Sequence, residues 1–189
     1  MATKLPSVFN PLKGHCTCKS ITYTLAVAPL ITHGCHCTYC QRESGSAFAI
    51  NAIVEASNFS ITSTLHPNLV GIPSLSSVTG DAHLVARCPK CLTAVYAHYA
   101  FMEATADKNI ICLRVGTLDE ESKRRVRPDV HIFTSTKMEW VDLESERARG
   151  IKIVDEYYDR NEVWSKESLD RWAMLLQKTQ EQKGCAGME

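Results

Sequence analysis

The sequence has no excess of charge of either sign. Its 189 residues include 21 Lys and Arg and 21 Asp and Glu, which gives a formal net charge of zero. A protein-wide basic field of the kind that attracts nucleic acid or an anionic membrane surface is therefore absent. No apolar run reaches the roughly 18 residues that a membrane-spanning helix needs. We accordingly expect neither nucleic acid nor a membrane as a partner.

Secretory and low-complexity segments are also missing. The first 15 residues, MATKLPSVFNPLKGH, lack the apolar centre of a secretory signal. With 44% apolar residues the composition is that of a globular protein rather than a disordered one. These features predict a cytoplasmic protein that consists of one domain with an appendage.

Cysteine is abundant, since the chain contains nine. Seven of them form three tight clusters, which are Cys16 and Cys18; Cys35, Cys37 and Cys40; and Cys88 and Cys91. An odd number of thiols in a cytoplasmic chain favours metal binding or catalysis over a disulfide framework. The other two are predicted to be ordinary, because Cys112 lies in an apolar strand-like run and Cys185 lies in the C-terminal tail.

The cysteine spacing favours two zinc sites. Zinc takes four ligands in a structural site, or three protein ligands and an open position in a catalytic site. Cys35, Cys37 and Cys40 supply three ligands within six residues, and the other two pairs together supply four. In an alternative, all seven cysteines are structural, and His33 or His36 completes the second site. If this stretch is extended, however, the His36 side chain points away from its neighbours.

Apolar and alternating runs predict short strands. They cover residues 20–28, 47–54, 58–64, 94–100, 109–118 and 130–136, and a further run, HLVARC, leads into the CPKC turn to make a hairpin. Loops are expected around the three-cysteine cluster and over residues 66–80. The fold class is therefore predicted to be mainly β, with short antiparallel strands stapled by metal.

A C-terminal helix is predicted near residues 165–182, with Ser165 as its N-cap. An apolar stripe recurs at helical spacing, formed by Leu169, Trp172, Leu175, Leu176 and Thr179. This stripe predicts packing on the domain or, alternatively, a homodimer contact.

Five segments of the chain occur in a characteristic order: KGHCTCKSITY, CHCTYCQRESGSAF, CPKCLTAVY, VGTLDE and HIFTSTKMEWVDL. In this order and spacing they resemble the glutathione-dependent formaldehyde-activating enzyme (GFA) family, which also contains centromere protein V. The resemblance extends over residues 12–143 and leaves residues 144–189 as a C-terminal extension. Lys19 and Leu92 stand where the family commonly has glycine, and Gln41 stands where it usually has arginine.

The resemblance implies a β-tent fold of antiparallel sheets with two zinc ions. Residue by residue, it assigns a structural site to Cys16, Cys18, Cys88 and Cys91, and a catalytic site to Cys35, Cys37 and Cys40. It also implies condensation of formaldehyde with glutathione to S-(hydroxymethyl)glutathione, which is a carbon–sulfur lyase reaction in the reverse direction.

Several side chains near the clusters are candidates for the chemistry. Three thiolates leave a zinc complex negatively charged, so a nearby cation would restore its Lewis acidity and hold an anionic substrate; Arg42 is the candidate. Ser46 is a candidate hydrogen-bond donor in the pocket, and Glu43 a candidate general base. His131 is expected in the pocket or in the core, and Trp140 is expected to pack.

The sequence thus predicts a zinc-dependent enzyme that acts on a small thiol or carbonyl compound. Because three ligands hold a metal less firmly than four, the second zinc is expected at partial occupancy. The alternative is a non-catalytic, zinc-stapled interaction module of the centromere protein V type.

Overall fold

The computed structural model describes residues 9–72, 83–99 and 109–186, with side chains in the last range as far as residue 181. The strands are β1 (Leu12–His15), β2 (Thr22–Leu25), β3 (Ile31–Cys35), β4 (Ala49–Glu55), β5 (Phe59–Ile61), β6 (Asn68–Ile72), β7 (His83–Arg87), β8 (Ala94–His98), β9 (Ile110–Arg114), β10 (Val130–Ile132) and β11 (Lys152–Ile153). The α-helices are α1 (Thr38–Ser44), α2 (Glu120–Lys123), α3 (Glu144–Ala148), α4 (Arg160–Val163) and α5 (Lys166–Ala186).

The strands form two sheets. A three-stranded sheet has the order β1-β2-β5, and an eight-stranded sheet has the order β11-β10-β3-β4-β9-β8-β7-β6. Every pairing is antiparallel except at one edge, where β10 runs parallel to both β3 and β11. The predicted mainly β fold is confirmed, and the run before CPKC pairs with the run after it as the expected hairpin.

The eight-stranded sheet has a hydrophobic cluster on each face, because neighbouring residues in a strand point to opposite sides. The first cluster includes Ile31, Ile53, Cys112, Ala97 and Val85 from the sheet, with Trp164 and Trp172 of the C-terminal extension. The second cluster joins Ala52, Val54, Ile111, Leu113 and Val95 to Leu12, Tyr23 and Leu25 of the three-stranded sheet. The large sheet is therefore covered by the extension on its first face and by the small sheet on its second.

Helix α5 covers the first face with the predicted stripe. Ser165 caps the helix, since its hydroxyl accepts a hydrogen bond from the Ser168 backbone N–H at 3.1 Å. Trp172 is buried, and the Thr179 hydroxyl accepts a hydrogen bond from Asn109 at 2.8 Å. Arg171 adds a two-pronged ion pair to Glu55 of β4, with distances of 2.9 and 2.7 Å. The helix thus packs on the domain through both apolar and charged contacts.

Some local predictions were wrong. The predicted loop over residues 66–80 contains β6, while its residues 73–80 lie outside the described ranges. The loop assigned to the three-cysteine cluster contains β3 and α1. Both segments lack a clean polar–apolar alternation; β6 is an exposed edge strand, and β3 is buried on both faces. The C-terminal helix extends to Ala186 and so includes Cys185, and Trp140 is 74% exposed rather than packed.

None of the helices in the described ranges is both long and apolar enough to cross a bilayer.

Candidate metal centre

Four sulfur atoms from two distant turns meet beside the second face of the large sheet. The Sγ atoms of Cys16, Cys18, Cys88 and Cys91 all lie within 4.8 Å of one another. The Cys16–Cys18 distance is 3.5 Å and the Cys18–Cys88 distance is 3.8 Å. Tetrahedral zinc with bonds of about 2.3 Å needs sulfur–sulfur edges of about 3.8 Å. This geometry and an all-thiol donor set fit a zinc ion.

The two turns that supply these sulfurs have the same backbone design. In each turn a later N–H closes back on the first cysteine: Lys19 N donates to Cys16 O, and Leu92 N donates to Cys88 O, both at 2.9 Å. Lys19 and Leu92 have positive φ angles of 59° and 61°. Both therefore hold a left-handed conformation that favours glycine. The two positions at which the chain departs from the family's common glycines are thus the two strained positions of this site.

The other three thiols come together within one short segment. Cys35 ends β3, Cys37 is the N-cap of α1, and Cys40 lies in α1. All three Sγ atoms lie within 4.8 Å of one another, and Cys35 donates to Cys37 across 3.4 Å. Hydrogen bonds from Cys35 and Cys40 lower the pKa of Cys37, while contact with Cys37 raises the pKa values of the other two thiols. Cys37 is half-buried while the other two are buried, so access to the cluster is from its side.

No fourth Cys, His, Asp or Glu joins these three thiols in the ranges that the structure covers. His36 turns away, as an extended backbone requires, and its Nε2 atom lies 2.9 Å from His131 Nδ1. Both rings are buried, with the Phe48 ring 4.8 Å from that of His36. A Cβ at Gly34 would lie 2.5 Å from His131 Nδ1, so this close packing requires glycine there. His131 is therefore a core residue, and neither of the two candidate ligands, His33 and His36, joins the three thiols; His33 instead contacts the Tyr158 hydroxyl.

A chain of polar contacts links the three-thiol cluster to a buried arginine. Asn51 Nδ2 donates to Cys40 Sγ at 3.7 Å, and Arg114 Nη1 donates to Asn51 Oδ1 at 2.5 Å. Arg114 also pairs with Glu43 at 3.0 Å, and Glu43 pairs with Arg87 at 2.7 Å. Although a hydrogen bond from Cys35 lowers it, the pKa of Cys40 is raised to about 11 by its contact with Cys37 and by burial, and the positive charge of Arg114 opposes that rise. Arg114 is thus the buried cation of this centre.

The sequence assigned that cation to Arg42, which the structure leaves exposed on α1. The register shows why Arg114 was missed. His33 pairs with Asn51, and Asn51 pairs with Arg114, so the three side chains form one row across β3, β4 and β9. Only the strand pairing brings Arg114 to Cys40, and nothing in the local sequence of β9 signals it. Glu43 is held by two arginines, so accepting a proton as a general base would break an ion pair.

A cavity of about 550 Å³ opens beside the C-terminal end of α1 and the CPKC turn, and its lining includes Cys91 but none of Cys35, Cys37 and Cys40. Its lining includes Glu43, Ser44, Ser46, Phe48, Arg87, Cys91, Thr93 and Arg114. Ser46 lies on this cavity, whereas Arg42 does not line it. The isolated Cys112 is buried, and burial raises its thiol pKa to about 12, which makes it an inert core residue.

The fold and the two clusters define a mainly β protein with thiol sites suited to two metal ions. The profile of the glutathione-dependent formaldehyde-activating enzyme family matches residues 11–136. The chain belongs to that family. Among solved structures, it is similar to a crystal structure of a Rhodobacter sphaeroides protein, with 14% identity and a TM-score of 0.41 over 76% of this chain and 99% of the other. A comparison with curated proteins gives no match.

The left-handed backbone at Leu92 predicts a stabilising substitution. Leu92 is 65% exposed, so Leu92→Gly removes little buried surface and relieves the positive-φ strain. We expect the free energy of unfolding to rise by about 0.5–1 kcal/mol in urea titrations of the metal-loaded protein. The matched control is Lys90→Gly in the same turn, where no positive φ is relieved and stability should fall. If Leu92→Gly and Lys90→Gly lower the free energy of unfolding equally, the backbone at Leu92 is not strained.

The polar chain predicts that Arg114 supports metal binding in the three-cysteine cluster. Arg114→Met removes the hydrogen bond to Asn51 and the ion pair with Glu43. The negative charges of Glu43 and the thiolates are then no longer offset by this arginine. We expect the affinity of this cluster for Zn²⁺ to fall about 10- to 100-fold in competition with a chromophoric chelator at neutral pH.

Arg42→Met is the matched control for this experiment, because Arg42 is exposed, and it should leave the affinity unchanged. Circular dichroism checks that both variants fold. If Arg42→Met lowers the Zn²⁺ affinity as much as Arg114→Met does, the sequence-based assignment of the supporting cation to Arg42 is the correct one.

Proposed function

We propose that this protein is a zinc-dependent enzyme of the carbon–sulfur lyase type. The reaction joins a thiol to a small aldehyde and runs in both directions. The sulfur–carbon bond forms as the carbonyl π bond breaks and its electrons move to the oxygen. The thiol proton is transferred to that oxygen, which becomes a hydroxyl group. Formaldehyde with glutathione, giving S-(hydroxymethyl)glutathione, is the reaction that the family implies. Another small thiol or carbonyl compound fits the same chemistry.

The observation that carries this proposal is a cluster of three thiols with no fourth protein ligand in the described ranges. Three protein ligands and one free position are the pattern of a catalytic zinc site, whereas structural sites are closed by four. Family membership over residues 11–136 supports the same assignment. We therefore propose Cys35, Cys37 and Cys40 as the catalytic site and the other four cysteines as the structural one.

A zinc ion bound by these three thiolates would supply a position for a thiol or a carbonyl oxygen and Lewis acidity at that position. The residues of this chain affect the charge at the three-cysteine site and the access of a substrate to it. Arg114, through Asn51, offsets part of the negative charge that three thiolates bring together. Glu43 remains an ion-paired anchor for two arginines. Ser46 offers a hydroxyl on the cavity, and Arg42 offers an exposed cation to an anionic substrate.

The proposed cofactor is two zinc ions per chain, of which the ion on three ligands is held less firmly. All eight cysteines whose side chains the structure describes are free, which suits the reducing cytoplasm that we propose as the location. The proposed partner is a small molecule. A homodimer is compatible with this function but not required by it.

The test is the rate of exchange between ¹³C-formaldehyde and its glutathione adduct, measured by NMR with the zinc-loaded protein. Because the adduct also forms without a catalyst, the measured quantity is acceleration above the protein-free rate. We expect the wild type to accelerate exchange and Cys37→Ser to fall to the protein-free rate while remaining folded. Cys185→Ser removes a thiol that is distant in sequence from all three cysteine clusters, and it should keep the wild-type rate.

If the wild type with both metals bound accelerates exchange of no thiol–aldehyde pair, including small aliphatic and aromatic aldehydes, the enzyme proposal is wrong. The non-catalytic interaction module would then become the better interpretation. If Cys185→Ser loses the activity as fully as Cys37→Ser, the site assignment is wrong.

A further inference from the structure

Three aromatic rings pack near the end of β3 that carries Cys35, and we call them the aromatic stack: Phe133, Tyr157 and Tyr158. The Tyr157 and Tyr158 rings are within 10° of parallel, with centroids 4.8 Å apart. The Phe133 ring lies 6.0 Å from Tyr157. Phe133 and Tyr158 are partly buried, but Tyr157 is 47% exposed. An exposed ring that is backed by other rings is a surface for packing a flat apolar group.

Strand β3 connects this stack to the cluster. His33 and Cys35 are two residues apart in β3, so both side chains lie on the same face. The Tyr158 hydroxyl lies 2.5 Å from His33 Nε2, and the Tyr157 ring meets the His33 ring edge-on at 6.1 Å. Tyr157 therefore packs against His33, which lies two positions before Cys35 in β3, and against Phe133, which follows the strand partner of Cys35.

The backbone holds the stack in this position at a cost. Ile132 of β10 pairs with Cys35, and the next residue, Phe133, adopts a left-handed conformation with φ of 55°. This conformation is unfavourable for any residue other than glycine and persists only where the surroundings enforce it. The Phe133 N–H donates to Glu156 O at 3.0 Å, one residue before Tyr157. The strained turn thus brings Phe133 against Tyr157.

A hydrogen bond from the extension fixes the ring behind Tyr157. Trp164 Nε1 donates to the Tyr158 hydroxyl at 2.9 Å, and Trp164 is buried in the first hydrophobic cluster. The exposed ring consequently has a rigid support. Both tyrosines lie beyond residue 136, where the match to the family ends. The two tyrosines of the stack therefore belong to the C-terminal extension, whereas Phe133 lies in the matched region.

We propose that Tyr157 is a specificity-determining residue of the three-cysteine centre. Its exposed ring contacts the substrate and selects thiol or carbonyl compounds that carry a flat apolar group over compounds of equal size that do not. Formaldehyde has no such group, so this inference names a substrate class beyond the family's reaction. It rests on the proposed function, because it requires a substrate to enter the free position of that centre.

The test uses protein loaded with Co²⁺ in place of zinc, whose visible absorption bands report a new thiolate ligand. The probes are benzyl mercaptan and cyclohexylmethanethiol, which match in size but differ in flatness. We expect the wild type to bind benzyl mercaptan about 3- to 10-fold more tightly. Tyr157→Phe should keep this preference, and Tyr157→Ala should abolish it. Tyr157→Leu, which retains apolar volume, is the second variant if the alanine variant is unstable.

Trp140→Ala is the matched control, because Trp140 is exposed and lies outside the aromatic stack. It should keep the preference for the flat thiol. The inference is overturned if the wild type binds both thiols equally, or if Tyr157→Leu retains the preference. A loss in Tyr157→Phe as large as in Tyr157→Ala overturns it too, since the hydroxyl would then be the selecting group. If neither thiol changes the cobalt spectrum, the free position itself is absent, and the proposed function fails with the inference.

Discussion

The eight-stranded sheet separates the two thiol clusters, and this separation determines what each cluster can do. Cys16 and Cys88 are buried in the core between the two sheets, and turns from distant parts of the chain close that site with four sulfurs. Cys35 and Cys40 belong to the opposite core, where one short segment supplies three sulfurs. A site that joins distant turns contributes its binding free energy to folding. A site made within one segment can gain or lose its metal with less effect on the fold.

Charge balance on the first face follows from the strand register. Three thiolates around a divalent ion carry a net negative charge, and a buried charge is stable only with a partner. Arg114 supplies the opposite charge through Asn51, and Glu43 joins Arg114 to Arg87 at the cavity. The electrostatics of the centre and the polar lining of the cavity are therefore one connected network. The C-terminal extension forms another wall of the same face, through Tyr157 and its supporting rings.

Sequence reasoning succeeded where the signal is local. Cysteine spacing alone divided the seven thiols as the structure groups them, and alternating runs located most strands and the C-terminal helix. It failed where tertiary pairing decides the outcome. Strand β6 and the parallel edge at β10 have no local signature, and Arg114 reaches Cys40 only through a partner on another strand. Gln41, noted as a family departure, has a structural role: its amide donates to His36 O at 2.7 Å and to Thr136 O at 2.9 Å. It ties α1 to the segment after β10.

The central claim is that the two clusters are separate metal sites. The fold depends on the four-cysteine site more than on the three-cysteine site. The most direct measurement is zinc content by native mass spectrometry of the wild type and of Cys37→Ser, together with circular dichroism. We expect the wild type to carry more than one zinc per chain. Cys37→Ser should remain folded and keep one zinc, having lost only the zinc beyond that one. A single zinc that needs all seven cysteines, or a Cys37→Ser variant that unfolds, would contradict the account.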